Sequence, residues 1–359
     1  GGGGMLRGRP ASGRRTDFSA RGVFLPVLRV RWLLAPLAAL GGAPAAAHDF
    51  CRSREQQLQP LAEDDDSLDH LHVAFSTDAS NFAGLFIAVT SLARHLASPG
   101  RCSIHVLVPP DDLSAASRLA GCLRRALAGL PALPTLELHA LRPLPFPLTF
   151  YQLPLAIYWT RIFLHEYLPT IPRVIWLDHD VVVRADLAEL YRMRMEHALA
   201  GAPEFVPPHF VRPMTFRDHI RECPHVAHYA GADMDSATFN TGVLVFDLQK
   251  WRSSDLAKSV TEWAVLTNGC FLDQLALNLA FSGRLDCLDW RWNWRPNGSA
   301  PTAARCLRDV RVFHWNTYPK PKYWTWCRGE GSMADEHVWR PYAAKEEDCE
   351  VIDPEDMCF

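Results

Sequence analysis

The sharpest chemical signal in this sequence is a pair of carboxylates, Asp178 and Asp180, separated by His179 and set at the end of the apolar run Val174, Ile175, Trp176 and Leu177. A second apolar run, Val181 to Val183, follows at once. Two carboxylates beside a buried strand are costly unless a cation or hydrogen-bond donors satisfy them, and ligands of open α/β sheets gather at the carboxyl ends of strands. A divalent metal would meet that cost; a turn or helix-capping role is the structural alternative. Asp64 to Asp66 and Asp233 to Asp235 repeat the spacing, but both stand in polar surroundings and read as solvated.

Four further segments acquire meaning beside this one. They are Phe75-Ser76-Thr77-Asp78 with Asn81 and Phe82, then Phe239-Asn240-Thr241-Gly242, then Phe271-Leu272-Asp273-Gln274, and finally His314-Trp315-Asn316-Thr317-Tyr318-Pro319-Lys320-Pro321. Taken in this order with Asp178 and Asp180, the chain resembles glycosyltransferase family 8, the retaining group that includes glycogenins, bacterial lipooligosaccharide galactosyltransferases and plant galacturonosyltransferase-like enzymes. The likeness runs from about residue 68 to residue 326.

That resemblance implies a GT-A-like, Rossmann-type mixed sheet flanked by helices in a single catalytic domain. It makes Asp178, Asp180 and His314 metal ligands for Mn²⁺, with Mg²⁺ as the alternative, an oxygen and nitrogen set suited to either ion. Asp78 would accept from a uracil ring and Phe82 would stack on it beside Asn81, while Arg161 and Lys320 would lie near the diphosphate with Asp178. Asn240, Asp273 and Gln274 match positions near the transferred sugar. The final motif departs from the family: Thr317 stands where a glycine is usual and Lys322 where a tryptophan is usual, with Trp324 two residues later. Each residue also has a plainer reading: a cap for Asp78, Asn81, Asn240 or Asp273, core packing for Phe82, and a solvated surface for Arg161 or Lys320.

The elements that must position these groups follow from hydrophobic periodicity. Short apolar runs at 71–76, 104–108, 135–140, 173–178, 241–246 and 310–313 predict strands. Helical patterns at 82–96, 111–129, 155–168 and 255–280 fall between them, which is the rhythm of an α/β sheet covered on both faces. The Trp-rich segment 290–326 reads as core plugs or, alternatively, as stacking surfaces for sugars and bases.

The 359 residues, 48% of them hydrophobic and 21% charged, describe a globular protein. Residues 1–47 carry seven arginines against Asp17, giving +6, so the remainder holds −9 of the net −3. An acidic body without a basic run excludes nucleic acid as the main partner. The leader, with its apolar run 32–47 ending in Ala45, Ala46 and Ala47, predicts a signal peptide, or else an uncleaved membrane anchor or an organelle transit peptide. Residues 48–67 read as an acidic stem, 68–345 as the catalytic domain and 346–359 as a Cys-containing tail. Ten cysteines beyond the leader, without zinc spacing, predict disulfides, with buried free thiols as the alternative, and the sequon at Asn297 agrees with a secretory, Golgi-lumenal setting. The resemblance implies a UDP-sugar donor and a carbohydrate acceptor as partners. A catalytically silent nucleotide- or glycan-binding protein on the same fold is the main rival, and a secreted metallohydrolase using the same Asp and His residues is the second.

Overall fold

The computed structural model describes residues 68–146, 156–204, 213–221, 223–228, 233–267, 273–296, 308–316, 336–345 and 349–353. The leader, the acidic stem, the sequon at Asn297 and the segment carrying Lys320 lie outside the described residues. Among the described residues no helix is long and apolar enough to cross a membrane.

Among the described residues nine strands form two sheets: β1 (Leu71–Ser76), β2 (Cys102–Val108), β3 (Thr135–Ala140), β4 (Arg173–Leu177), β5 (Val181–Val183), β6 (Leu199–Pro203), β7 (Phe239–Asp247), β8 (Asp286–Cys287) and β9 (Val312–His314). The large sheet has the order β3-β2-β1-β4-β7-β6-β8, while β5 and β9 pair separately. Strands β3, β2, β1 and β4 run parallel to one another, whereas β7 runs antiparallel to both β4 and β6. The sheet is therefore mixed, as the resemblance implied, and its parallel and antiparallel halves meet between β4 and β7.

Strand alternation explains why both faces are covered. In β4, Ile175 and Leu177 point into one hydrophobic cluster while Val174 and Trp176 point into another. In β7, Val243 and Val245 divide from Leu244 and Phe246 in the same way. Each strand thus reads as a continuous apolar run because neither of its faces meets water. Helices α1 (Phe82–His95) and α2 (Leu113–Ala126) pack on the first face. Periodicity predicted a one-sided helix at α1, yet every residue from Phe82 to Ala93 is buried. The reason is tertiary: β5 lies against the same helix, and Ser91 Oγ accepts the Val183 amide at 3.0 Å. The predicted helix over 155–168 is instead the helical turn Ala156–Trp159, a 3₁₀ stretch Thr160–Phe163 and the turn Leu164–Tyr167. The segment 255–280 holds two helices, Leu256–Thr267 and Asp273–Ala280.

The described tryptophans of the aromatic-rich segment favour the core reading. Trp292 is 1% exposed and Trp315 5%, and both belong to the first cluster, with Trp290 and Trp294 packed against it. Four imidazoles near the outer edge of the large sheet form a chain across β1, β2 and β3. Burial first, and then the neighbouring imidazoles, push His72 and His105 down to about 4, so both are neutral at pH 7.

Cys122 of α2 is disulfide-bonded to Cys349, and Cys223 and Cys287 are also disulfide-bonded. Cys102 is a buried free thiol. The Cys122–Cys349 bridge closes a loop across a sequence separation of 227 and anchors a C-terminal segment whose Ile352 is buried in the first cluster. Cross-linking of this kind removes conformational freedom mainly from the unfolded chain. Replacing Cys349 by Ser should therefore destabilise the protein by about 2–5 kcal/mol, read as a lowered urea midpoint; an unchanged midpoint would show that the bridge does not stabilise the fold.

Candidate active site

The candidate site forms at the carboxyl end of β4, where the parallel half of the sheet stops. The Asp178 amide donates to the Gly242 carbonyl at 2.9 Å, which ties the chain leaving β4 to β7. After one turn the chain becomes β5, and antiparallel pairing with β9 sets Val181 opposite His314. The Trp315 amide then donates to the Asp180 carbonyl at 2.9 Å. Backbone bonds therefore bring together residues 178, 180 and 314, although more than a hundred residues of chain separate the carboxylates from the histidine.

His314 is fully buried, and its Nε2 lies 3.2 Å from Asp180 Oδ1 and 3.7 Å from Asp178 Oδ2. Ligand atoms of the three residues all fall within 4.8 Å of one another. That Nε2 has no hydrogen-bond partner. The two carboxylate side chains are 21% and 24% exposed, so the shared volume is open on one side.

A chain of side-chain hydrogen bonds explains the state of that nitrogen. Glu204 lies just past the end of β6, buried against Arg295 at 2.7 Å and His219 at 3.2 Å. Burial alone would raise its pKa, but the His219 hydrogen bond and the Arg295 charge together hold it below the ordinary value, so it is an acceptor only. Gln274 Nε2 donates to Glu204 at 2.5 Å, which turns Gln274 Oε1 toward Asn240 Nδ2 at 3.2 Å and the Thr241 amide at 3.3 Å. Asn240 Oδ1 accepts the Gly242 amide and Asn293 Nδ2, both at 2.9 Å. Asn293 Oδ1 is left facing His314 Nδ1 at 2.9 Å. An amide oxygen only accepts, so Nδ1 carries a proton, and in the neutral ring Nε2 keeps the lone pair on the side of the two carboxylates. A lone pair and two carboxylates in one small volume repel unless a cation lies among them, so the residues fit a divalent metal.

Gly242 completes this arrangement by having no side chain. A Cβ there would stand 2.0 Å from His314 Cε1 and 2.5 Å from Nδ1. The imidazole thus lies flat against the β7 backbone, in space that any other residue would fill.

Arg161 supplies the opposing positive charge from the 3₁₀ stretch Thr160–Phe163. Its guanidinium is 2% exposed, lies over the Trp176 ring at 4.7 Å and pairs with Asp178 at 3.0 Å. One of its terminal nitrogens donates to the Thr241 carbonyl. Its Nε is 2.9 Å from Asp273 Oδ2 but directs its proton to the Tyr158 carbonyl at 3.1 Å, so this second pairing is electrostatic. Burial pushes the Asp273 carboxyl up to about 7 against the pull of Arg161. Asp178 also accepts from Trp176 Nε1 at 2.8 Å. A solvated helix residue is therefore the wrong description of Arg161: it is the central buried cation of the site.

At the end of β1, Asp78 Oδ1 accepts from Ser80 at 2.6 Å and from Asn81 Nδ2 at 2.8 Å. These contacts shape the turn leading into α1, and Phe82 is 1% exposed in the core beneath it. Asp178, Asp180, His314, Arg161, Asp273, Gln274 and Asn240 thus form one connected cluster. Asp78 and Asn81 share a separate local network, and Lys320 lies outside the described residues. Sequence reasoning does not single out Glu204 or Asn293, and it names Gly242 and Trp176 only as members of a motif and of an apolar run. A lone acid after a buried strand and a lone amide among Trp290, Trp292 and Trp294 were the signals available for the first two.

Residues 149–326 match the family model described as glycosyl transferase family 8. Among curated relatives, probable galacturonosyltransferase-like 4 of Arabidopsis thaliana is 26% identical over 290 residues, 76% of this chain and 79% of its own length. Probable galacturonosyltransferase-like 5 of the same plant is 27% identical over 291 residues, 76% of each chain. Among solved structures, that of the galactosyltransferase LgtC in complex with donor and acceptor sugar analogs superposes with a TM-score of 0.57 at 23% identity, covering 77% of this chain and 98% of that one. At that identity the likeness is one of fold, and it is the same GT-A-like mixed sheet. The family model, the curated relatives and this shared architecture agree in supporting a glycosyltransferase of family 8.

Proposed function

We propose that this enzyme transfers a sugar from a UDP-sugar to a carbohydrate acceptor with retention at the anomeric carbon, using Mn²⁺ or Mg²⁺ held by Asp178, Asp180 and His314. The observation that carries the reading is the buried Nε2 of His314, which has no hydrogen-bond partner and lies 3.2 and 3.7 Å from oxygens of two carboxylates. A bound divalent ion would act as a Lewis acid on the diphosphate, neutralising the charge that builds on the leaving group.

The chain's own residues divide the remaining work. Arg161, fixed by Asp178, Asp273 and the Thr241 carbonyl, keeps a permanent positive charge behind the carboxylates and orients Asp178. Asp78 and Asn81 hold the nucleotide base in the turn after β1, with Phe82 supporting that turn from the core, and the resemblance assigns Lys320 to the diphosphate. Asp273, whose carboxyl sits near neutrality, receives sugar hydroxyls. Gln274 Oε1 already accepts from Asn240 Nδ2, the Thr241 amide and the Thr241 hydroxyl. An oxygen committed to three donors is a poor nucleophile, so attack by the acceptor hydroxyl from the face the leaving group departs is favoured over a covalent intermediate on Gln274. The disulfides support an oxidising compartment, in keeping with a Golgi-lumenal catalytic domain over 68–345 behind a leader and stem.

Two tests bear on this reading. Asp178→Ala, or EDTA, should lower UDP release from UDP-glucose, UDP-galactose, UDP-xylose or UDP-galacturonate by on the order of 10³-fold, as expected when several kcal/mol of charge stabilisation is lost. Added Mn²⁺ should restore only the chelated wild-type enzyme, and undiminished transfer without metal would sink the proposal. Asn293→Ala removes the acceptor that fixes the His314 tautomer, and Gly242→Ala displaces the ring. Each should weaken Mn²⁺ binding about 10- to 100-fold while the circular dichroism spectrum stays native, and unchanged affinity in both would exclude His314 as a ligand.

A further inference from the structure

A second group of metal-ligating side chains lies on the outer strands of the large sheet and shares no residue with the cluster around Asp178. The registers of β1, β2 and β3 place His72, His105, Glu137 and His139 together, with Ala74 opposite His105, His105 opposite Glu137, and Leu107 opposite His139. His105 is the centre: its Nδ1 lies 3.2 Å from His139 Nε2 and 3.5 Å from Glu137 Oε2, and its Nε2 lies 3.1 Å from His72 Nδ1. The side chain of His105 is 2% exposed, whereas that of Glu137 is 45% exposed, so the group opens to solvent on the Glu137 side.

We propose that His105 Nδ1, His139 Nε2 and Glu137 form a zinc site that fastens the edge strand β3 to β2. Zinc bonds of about 2.0–2.1 Å in tetrahedral geometry place ligand atoms about 3.3 Å apart, and the two measured separations from His105 Nδ1 are 3.2 and 3.5 Å. Ligand atoms of all three residues lie within 4.8 Å of one another. Burial lowers the pKa of both imidazoles, which favours the neutral form whose second ring nitrogen can ligate an ion. His72 supplies the outer partner that a metal-bound histidine requires: with Nδ1 of His105 on the ion, its Nε2–H donates to His72 Nδ1 at 3.1 Å. His72 is itself flanked by His70, whose Nε2 bonds the Ser103 hydroxyl at 2.9 Å. Two nitrogens and one carboxylate oxygen, with a fourth position reached from solvent, form a set suited to Zn²⁺ and less to the harder Mn²⁺ or Mg²⁺. Among the described residues strand β3 pairs only with β2, and it exposes much of its length, so an ion bridging the two would protect an edge otherwise free to open.

The test separates this site from the one around Asp178. In chelator-stripped Asp180→Asn protein, the active-site cluster is disabled and one equivalent of Zn²⁺ should still bind, measured by atomic emission after desalting. Co²⁺ in its place should give the intense visible absorption of a four-coordinate ion. Adding His139→Gln, or separately Glu137→Gln at its exposed position, should weaken zinc binding by about tenfold or more, as loss of one of three protein ligands requires, and should remove the cobalt band. Zinc-free Asp180→Asn protein, or zinc affinity unchanged in both double variants, would overturn the proposal in favour of a metal-free chain of hydrogen-bonded imidazoles.

Discussion

Two carboxylates and a histidine lone pair meet at the end of β4, and the rest of the site is arranged around that concentration of negative charge. Such a meeting is unfavourable in a partly buried volume, where water cannot screen it. Arg161 answers part of the cost from one side, buried against Trp176 and paired with Asp178. The lone pair is not accidental, because the hydrogen-bond relay from Glu204 through Gln274, Asn240 and Asn293 leaves His314 no other tautomer. A cation is what the proposed function adds, at a place where these residues already converge.

This organisation depends on where the sheet changes direction. The parallel half delivers the carboxyl ends of β1 and β4 to one edge, where helical turns and loops begin. The antiparallel strand β7 then runs back past β4, bringing Asn240, Thr241 and Gly242 beneath the carboxylates. The small sheet of β5 and β9 closes the far side and lowers His314 onto Gly242. Each catalytic candidate is thereby set on a strand end or a short helical turn that is packed on both sides. Precise placement by buried elements reduces the reorganisation needed when a substrate binds.

The strands and their faces were largely legible in the sequence. The run 71–76 coincides with β1 and the run 135–140 with β3, because apolar alternation and β-branched residues are local signals. The helix over 155–168 was not, since its 3₁₀ interruption places Arg161 against Asp178 and Asp273, contacts that no local propensity encodes. Of the site, the motif order exposed Asp178, Asp180, His314, Asn240, Asp273 and Gln274. It did not expose Glu204 or Asn293, which act through hydrogen-bond direction rather than by touching a ligand, or Gly242, whose contribution is the absence of a Cβ.

The amino-acid sequence alone determined the α/β class, the run of buried strands and the carboxylate pair at a strand end, because periodicity and spacing are properties of neighbouring residues. Only the tertiary structure decided that His314 faces the carboxylates with its Nε2 lone pair, that Arg161 is a buried counter-charge, and that three strands gather imidazoles at the sheet's edge. Those outcomes depend on strand register, on which backbone lies beneath a ring and on the direction of donors along a relay. All three are set by packing between segments far apart in the chain.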